Sequence, residues 1–306
     1  MLTLSSFEIV LNMKKAILLS VLFALAACSP KAFTIVQIAD AQLGFDAAVK
    51  GQVPGSEYIN DLTYESECFK RAAVQISAVD PDMIVFTGDQ IHRPLDQEQW
   101  DAFGELLTLL PTDAVIKHLP GNHDVLISDG KVDSTPFTSR YGEDRFVYKK
   151  DKFCVIGINS SLIMHNDSSE AEQYEWLKVM LEEAGQNCVK VIFCHHPFFV
   201  SNIDEDDGHV AIPKDKRRKY FDIFADNGVS AVYAGHLHHN AEGEYRGVAM
   251  KTTTSAGYQL GKEKASIRFI CITDRGHKRG VADRMIESDT QIKDSSPISI
   301  RGYENE

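Results

Sequence analysis

The chain has 306 residues, of which 43% are hydrophobic, 9% aromatic and 25% charged. This composition is ordinary for a soluble globular protein and excludes a disordered, collagen-like or multi-pass membrane chain. The 32 lysines and arginines stand against 44 aspartates and glutamates, which gives a formal net charge of -12. That charge has the wrong sign for binding phosphate backbones, so the composition argues against nucleic acid as a partner.

The N-terminal segment resembles a bacterial export signal. Two lysines follow Met13, and residues 16–27 form an apolar run that is shorter than the roughly 20 residues needed to span a bilayer. Leu-Ala-Ala before Cys28 resembles a lipobox, and the serine after it is typical of outer-membrane sorting. We expect a signal peptide over residues 1–27 with translation starting at Met13, and a lipid on Cys28. The protein would then be anchored in the bacterial envelope, on the outer membrane facing the periplasm. An ordinary cleaved signal or a short helix is the alternative.

Further along the chain, apolar runs of strand length end in loops rich in Gly, Asp, Asn and His. Five such runs cover residues 33–40, 83–89, 114–124, 191–197 and 229–239. Helical spacing of apolar residues is found over 61–79, 96–110, 169–184 and 214–227. A strand meander is expected around 144–159, and residues 241–273 are expected to be mostly strand. Because the runs are continuously apolar, they predict strands buried on both faces, with sheets inside and helices outside.

The order of these segments favours one domain. No repeat, low-complexity linker or change of composition divides the chain after the export signal. We therefore expect a single globular domain over residues 28–285, followed by a polar C-terminal tail over residues 286–306.

The ends of the predicted strands carry side chains that suit a metal site. They are Asp40, Gln42, Asp89, His92, Asn122, His123, Asp124, His195, His196, His236, His238 and His239. Carboxylate, imidazole and amide donors without thiolates favour divalent ions such as Mn, Fe or Zn. A single histidine at a strand end is most simply structural, but the joint pattern indicates metal binding.

Four short motifs connect these residues to a known family. They are Gly88-Asp89, GNHD at 121–124, His195 after an apolar strand, and GHLH at 235–238. In this order they resemble the signature of the calcineurin-like metallophosphoesterases, and GNHD followed by GHxH is far more specific than either motif alone. Longer stretches resemble the family of calcineurin-like phosphoesterase domain-containing protein 1, whose members are assigned as Ser/Thr protein phosphatases. These stretches are GDQIH (88–92), SNIDEDDG (201–208), GHLHHNAEGEY (235–245) and SAGYQLG (255–261).

The resemblance implies a fold and a cofactor. The fold is α/β (α+β), the metallo-dependent phosphatase fold, a four-layer α/β/β/α sandwich of two mixed sheets flanked by helices. The cofactor is a pair of divalent metal ions (Mn, Fe or Zn). One ion would lie on Asp40, Asp89 and His238, and the other on Asp89, Asn122, His195 and His236. Asp89 would bridge the ions, and a hydroxide held between them would attack the phosphate.

Position 42 departs from the broad family pattern. Most of the superfamily has Asp-x-His in the first motif, whereas Gln42 follows Asp40 here, as in the closer family. If Gln42 binds metal through its amide oxygen, the first ion is held more weakly and harder ions such as Mn are favoured. The alternative is that its side chain points away from the site.

Other motif residues are candidates for catalysis and substrate binding. We expect His123 to act as general acid toward the leaving group, with Asp124 orienting it and raising its pKa. Asn122 should contribute to substrate binding as well as to metal binding. Arg93, His196 and His239 are further candidate phosphate contacts, although they could equally support the ligands or be solvated bystanders.

The predicted function is metal-dependent hydrolysis of phosphomonoesters. Phosphoserine or phosphothreonine in proteins and small phosphate esters are both candidate substrates, and the membrane is a partner through the lipid anchor. A phosphodiesterase with the same site is the nearest alternative. A non-catalytic envelope lipoprotein that binds metal or phosphate is another, although binding alone would not require His123 and Asp124 beside the ligands.

Overall fold

The computed structural model describes residues 31–51, 59–208, 210–274 and 279–288. Its first mixed sheet contains β1 (Lys31–Ile38), β2 (Met83–Thr87), β3 (Val115–Leu119), β12 (Ser266–Asp274) and β13 (Arg279–Glu287). The strand order is β13-β12-β1-β2-β3. The neighbours β1, β2 and β3 run parallel, so their carboxyl ends lie at one edge of the sheet.

A second mixed sheet is stacked on the first, with an apolar cluster between them. It contains β6 (Phe146–Lys150), β7 (Phe153–Gly157), β8 (Val189–Phe193), β9 (Val229–Ala234), β10 (Ala241–Tyr245) and β11 (Val248–Thr252). The strand order is β10-β11-β9-β8-β7-β6, with β7, β8, β9 and β11 parallel to one another. A small hairpin joins β4 (Leu126–Ser128) to β5 (Lys131–Asp133).

Helices cover the outer faces of the two sheets. The longer helices are α2 (Thr63–Val79), α3 (Gln97–Leu107), α6 (Glu170–Ala184) and α7 (Lys214–Asp226). The shorter ones are α1 (Phe45–Gly51), α4 (Thr135–Tyr141) and α5 (Ser160–Met164). No helix among the described residues is both long and apolar enough to cross a membrane.

Three apolar clusters separate four layers. Phe69 on α2 and Phe103 on α3 pack with Phe86 between the helices and the first sheet. A central cluster, with Phe33 and Phe193 among its members, fills the space between the sheets. The third cluster joins the second sheet to α5, α6 and α7. This arrangement confirms the expected four-layer α/β/β/α sandwich.

The observed elements follow the sequence prediction closely where the apolar pattern is long. All five predicted strands are present, and the four predicted helices become α2, α3, α6 and α7. The short helices and the β4–β5 hairpin were not predicted. Strand β13 ends at Glu287, two residues beyond the expected domain boundary at 285. The expectations for the export signal, for Cys28 and for residues 289–306 lie outside the described residues and stay predictions.

Candidate metal centre

The candidate ligands come from the carboxyl ends of parallel strands in both sheets. Asp40, Asp89 and Asn122 follow β1, β2 and β3 of the first sheet, and His195 and His236 follow β8 and β9 of the second. Because loops after neighbouring parallel strands open at the same edge, they bring residues distant in sequence to one place. The site therefore spans the two sheets.

Five of the seven candidate ligands share an uncommon backbone conformation. Left-handed φ angles are found at Asp40 (50°), Gln42 (40°), Asp89 (52°), His236 (70°) and His238 (53°). Such a conformation costs non-glycine residues about 1–3 kcal/mol each, and it persists where the surrounding structure holds it in place. Because these positive φ angles are concentrated at candidate ligands, they indicate that the loops after the strands form a functional site.

Two motif glycines let the loops approach the carboxylate of Asp89. Gly88 has a φ of +94°, and a Cβ atom there would lie 2.6 Å from His195 Nδ1. A Cβ atom on Gly121 would overlap the Asp89 carboxylate. Both positions therefore require glycine, because a side chain would displace the candidate ligands.

One group of donor atoms surrounds the ring of His195. Its Nε2 lies 3.0 Å from Asn122 Oδ1, 3.1 Å from His236 Nδ1 and 3.3 Å from Asp89 Oδ2. Its Nδ1 donates to the carbonyl oxygen of Thr87 at 2.8 Å, which leaves the Nε2 lone pair facing the other donors. Donors about 2.1 Å from one ion and at right angles lie about 3 Å apart, so this group matches a coordination sphere.

A second group lies around Asp40. Its Oδ1 is 3.5 Å from His238 Nε2, and its carboxylate accepts the backbone N–H of His236 at 2.9 Å. His238 Nδ1 donates to the carbonyl oxygen of Tyr258, so its Nε2 is the nitrogen that faces Asp40. Donor atoms of Asp40, Asp89 and His195 lie within 4.8 Å of one another, so the two groups are adjacent.

Gln42 carries a buried oxygen without a partner. Its side chain is 1% exposed, and its backbone N–H donates to the carbonyl oxygen of Asp89 at 2.8 Å. The side-chain Oε1 is buried and accepts no hydrogen bond. Leaving such an acceptor unsatisfied costs about 1–3 kcal/mol, and a cation would satisfy it. The orphaned oxygen thus favours the interpretation that Gln42 binds metal through its amide.

The charged groups of the centre shift one another's pKa. Burial opposes the charged form of Asp89, but His195 and His123 outweigh it and hold the pKa of Asp89 well below its usual range. Burial likewise opposes protonation of His195, yet the charge and hydrogen bond of Asp89 raise the pKa of His195 to about 9. Burial raises the pKa of Asp40. A ligating imidazole is neutral, so a bound cation would replace the proton of His195.

The orientation of His123 differs from the prediction. Its Nδ1 lies 2.9 Å from the carbonyl oxygen of His92, and its backbone N–H donates to Asp89. Asp124 instead accepts backbone N–H groups of Gly121 at 2.8 Å and Gln90 at 2.9 Å. The expectation that Asp124 orients His123 is therefore wrong, because this buried carboxylate connects the loops after β2 and β3. Burial, reinforced by the charge of Asp89, raises the pKa of Asp124 to about 8.

His196 is held by a serine that sequence reasoning missed. Ser160 Oγ accepts the backbone N–H groups of His195 at 3.1 Å and of His196 at 2.8 Å. Since both its lone pairs are used, its proton goes to His196 Nδ1, 3.2 Å away. The buried ring of His196, 4.5 Å from that of His236, therefore carries its own proton on Nε2. This tautomer makes His196 a neutral hydrogen-bond donor beside the candidate ligands.

Two other candidate phosphate contacts lie nearer the solvent. Arg93 is exposed, and its backbone N–H donates to Gln99 Oε1 at 2.8 Å. His239 is partly exposed, and its Nδ1 faces the carbonyl oxygen of Asn240 at 3.3 Å. Contact of these two side chains with a substrate stays a prediction.

The sequence profile described as calcineurin-like phosphoesterase matches residues 33–240, a range that contains all the candidate ligands. The chain belongs to this family. It is a metal-dependent phosphoesterase, a hydrolase of phosphoric ester bonds, and its buried Asp and His groups are candidate ligands for the metal ions.

Relatives of this phosphoesterase include animal protein phosphatases. Serine/threonine-protein phosphatase CPPED1 from Bos taurus is 29% identical over 253 residues, which cover 79% of this chain and 80% of the relative. The protein of the same name from Danio rerio is 26% identical over 269 residues, 83% of this chain and 86% of the relative.

Solved structures share the fold. Purple acid phosphatase PPD1 from yellow lupin has a TM-score of 0.63 at 15% identity, over 87% of this chain and 53% of the lupin enzyme. A dimetal phosphatase from Danio rerio has a TM-score of 0.56 at 14% identity, over 84% of this chain and 99% of that protein. At these identities the comparison shows the fold alone.

Proposed function

We propose that this phosphoesterase is a dinuclear metallophosphatase acting on phosphomonoesters. The observation that carries the proposal is the convergence of two groups of buried donors on Asp89. The buried, unpartnered side-chain oxygen of Gln42 supports it. The proposed ligands are Asp40, Gln42, Asp89, Asn122, His195, His236 and His238. When bound, two divalent cations activate a water molecule and offset the negative charge of the phosphate.

The remaining side chains bind and orient the ester. The Nδ1 proton of His123 is held by the carbonyl oxygen of His92, so its Nε2 is free to carry the proton for the leaving oxygen. His196 presents its Nε2–H to a phosphate oxygen without adding charge. Among the proposed ligands, the amide of Asn122 is also neutral, which helps to keep the site attractive to a phosphate dianion.

The substrate and the location are proposed on sequence grounds. The name of the CPPED1 relatives supports phosphoserine or phosphothreonine in proteins as substrate. The Leu-Ala-Ala-Cys sequence ending at Cys28 supports a lipid anchor in the bacterial envelope, where small phosphate esters would be the accessible substrates. Incorporation of radiolabelled palmitate, lost in Cys28→Ser, would support the anchor, and equal labelling of both proteins would refute it.

The first test compares p-nitrophenyl phosphate with bis(p-nitrophenyl) phosphate. Full-length protein in detergent is stripped of metal and reloaded with Mn²⁺. A wide preference for the monoester supports the proposal, whereas a preference for the diester identifies a phosphodiesterase. If neither ester is hydrolysed, the result favours a non-catalytic lipoprotein that binds metal or phosphate.

The His123→Asn variant tests the proposed acid, with an alkyl phosphate and p-nitrophenyl phosphate as the two substrates. We expect hydrolysis of an alkyl phosphate to fall by about 10²–10⁴-fold, because its leaving alkoxide needs a proton. The loss on p-nitrophenyl phosphate should be much smaller, since that leaving group departs as a stable anion. Equal losses on both esters would contradict the acid role.

A further inference from the structure

Three aromatic side chains form a strip that leads away from the candidate metal centre. The ring centroid of Phe45 lies 5.3 Å from that of His238 and 6.4 Å from that of His123. Tyr258 stands edge-on to Phe45 at 5.4 Å, and Tyr64 follows at 6.0 Å from Tyr258. Exposure increases along the strip, from the half-buried Phe45 and Tyr258 to Tyr64, which is 42% exposed. We call Phe45, Tyr258 and Tyr64 the aromatic strip.

The inner part of the strip is held by the same loops that carry the candidate ligands. The backbone N–H of Phe45 donates to the carbonyl oxygen of Gln42 at 3.0 Å. The carbonyl oxygen of Tyr258 accepts the Nδ1 proton of His238. These bonds fix the backbone of Phe45 and Tyr258 relative to the donor atoms, and the ring contacts of Phe45 with His238 and Tyr258 place the inner rings beside them.

Partial exposure distinguishes the strip from the aromatic core. Phe69, Phe86 and Phe103 also contact one another ring to ring, but each is at most 1% exposed. Phe45 and Tyr258 keep part of their surface in solvent although they lie against the candidate centre.

The position of the strip matches that of a leaving group. In the proposed function, on which this inference rests, His123 protonates the ester oxygen that departs, so the atoms attached to that oxygen lie beside His123. The side chain of Phe45 borders the same place. We infer that the aromatic strip binds the leaving group, and that among small phosphomonoesters the site prefers those with an aromatic ring close to the ester oxygen. Ring-to-ring contacts of this kind change affinity by up to about tenfold.

The test uses two alkyl esters that differ in the ring. Leaving groups of 2-phenylethyl phosphate and ethyl phosphate are both simple alkoxides, so their comparison separates ring binding from leaving-group basicity. For the full-length protein loaded with Mn²⁺, we expect kcat/KM to favour 2-phenylethyl phosphate by about tenfold. In Phe45→Ala the ratio should fall toward one. Val74→Ala, at a 69% exposed position on α2, is the control and should keep the ratio.

The outcomes separate this inference from the proposed function. Equal kcat/KM for the two esters in the unaltered protein would overturn the inference while leaving a phosphatase. A parallel loss on both esters in Phe45→Ala would show a structural role only and would also overturn it. Absence of hydrolysis of either ester and of p-nitrophenyl phosphate would remove the proposed function itself. If Phe45→Ala fails to fold by circular dichroism, Tyr258→Leu replaces it, because that change keeps the carbonyl that holds His238.

Discussion

Three histidines of the candidate centre are oriented in the same way, each by a backbone carbonyl. The pairs are His195 with Thr87, His238 with Tyr258 and His123 with His92. A carbonyl oxygen can only accept, so it fixes a proton on Nδ1 and leaves Nε2 to face the site. Because the carbonyl acceptors belong to the backbone, the tautomers depend on the loop conformation rather than on any one side chain.

Gln42 is the residue whose role in the centre is easiest to measure. Its buried, unpartnered Oε1 leads us to expect that Gln42→Leu lowers Mn²⁺ affinity at one of the two sites by about tenfold or more. Gln42→His should instead raise the affinity for Zn²⁺, because imidazole is the stronger donor for that ion. Calorimetric titration of the metal-stripped protein measures both effects. Unchanged affinities in both variants would mean that Gln42 does not touch the metal.

At the scale of elements, helix α7 stabilises the acidic segment 201–208 through one buried arginine. The guanidinium of Arg217 is fully buried, and it donates to the carbonyl oxygens of Ile212 at 2.7 Å and Glu205 at 2.8 Å. Its neighbour Arg218 has a side chain 50% exposed and pairs with Asp204 at the surface. Two adjacent residues of one helix therefore offer a buried and an exposed arginine for comparison.

We expect Arg217→Met to cost about 2–4 kcal/mol of unfolding free energy, because it leaves buried carbonyl groups without donors. Arg218→Met should cost about 0–1 kcal/mol, as is usual for exposed ion pairs. Urea denaturation of the two variants at neutral pH provides the comparison. Similar costs would contradict the assignment of Arg217 as an internal tether of the acidic segment.

The long strands and helices could be predicted from the sequence, because only long elements carry a recognisable apolar pattern. The strand ending at Asp89 was predictable because a continuous apolar run stops at Gly-Asp, and α2 was predictable from helical spacing. The short helix α1 carries no such pattern. It is stabilised in part by the buried Glu65 of α2, whose carboxylate accepts the backbone N–H of Asp46 at 2.6 Å. The partners of Asp124 were missed because backbone N–H groups leave no signal in the sequence, and one of them, Gln90, lies 34 residues away.

On the scale of the whole molecule, a buried polar network joins the two sheets beneath the candidate centre. Gln37 on β1 donates to Thr87 Oγ1 at 3.1 Å and to the carbonyl oxygen of Ala234 in the second sheet at 2.9 Å. Thr253 donates to Gln37 Oε1 at 2.6 Å and accepts from Arg268 at 2.7 Å. A satisfied network of this kind restricts sliding between layers, so ligands from both sheets keep their relative positions.

The network ends at a buried carboxylate. Asp283 on β13 accepts hydrogen bonds from Arg268 at 2.5 Å and from Tyr233 at 3.2 Å, and it pairs with Lys251 at 2.8 Å. Burial alone would raise the pKa of Asp283, but the hydrogen bond and charge of Lys251 together with Arg268 outweigh it and lower that pKa. An aspartate in an unfolded chain titrates near 3.9. The contribution of Asp283 to stability is therefore present above about pH 4 and lost as the pH falls through its lower folded pKa.

The Asp283→Asn variant tests how the contribution of Asp283 to stability depends on pH. At pH 7 we expect the variant to lose about 3–5 kcal/mol of unfolding free energy, because the buried Arg268 loses its near counter-charge and keeps only the exposed Glu242 at 3.9 Å. On acidification the unaltered protein alone loses the carboxylate's contribution, so the difference between the two proteins should narrow below about pH 4. Urea denaturation at a series of pH values between neutral and strongly acidic measures it. Asp222→Asn, which removes an exposed partner of Arg246, is the control and should show a small difference throughout. A gap between Asp283→Asn and the unaltered protein that stays constant with pH would mean that the network does not depend on the charge of Asp283.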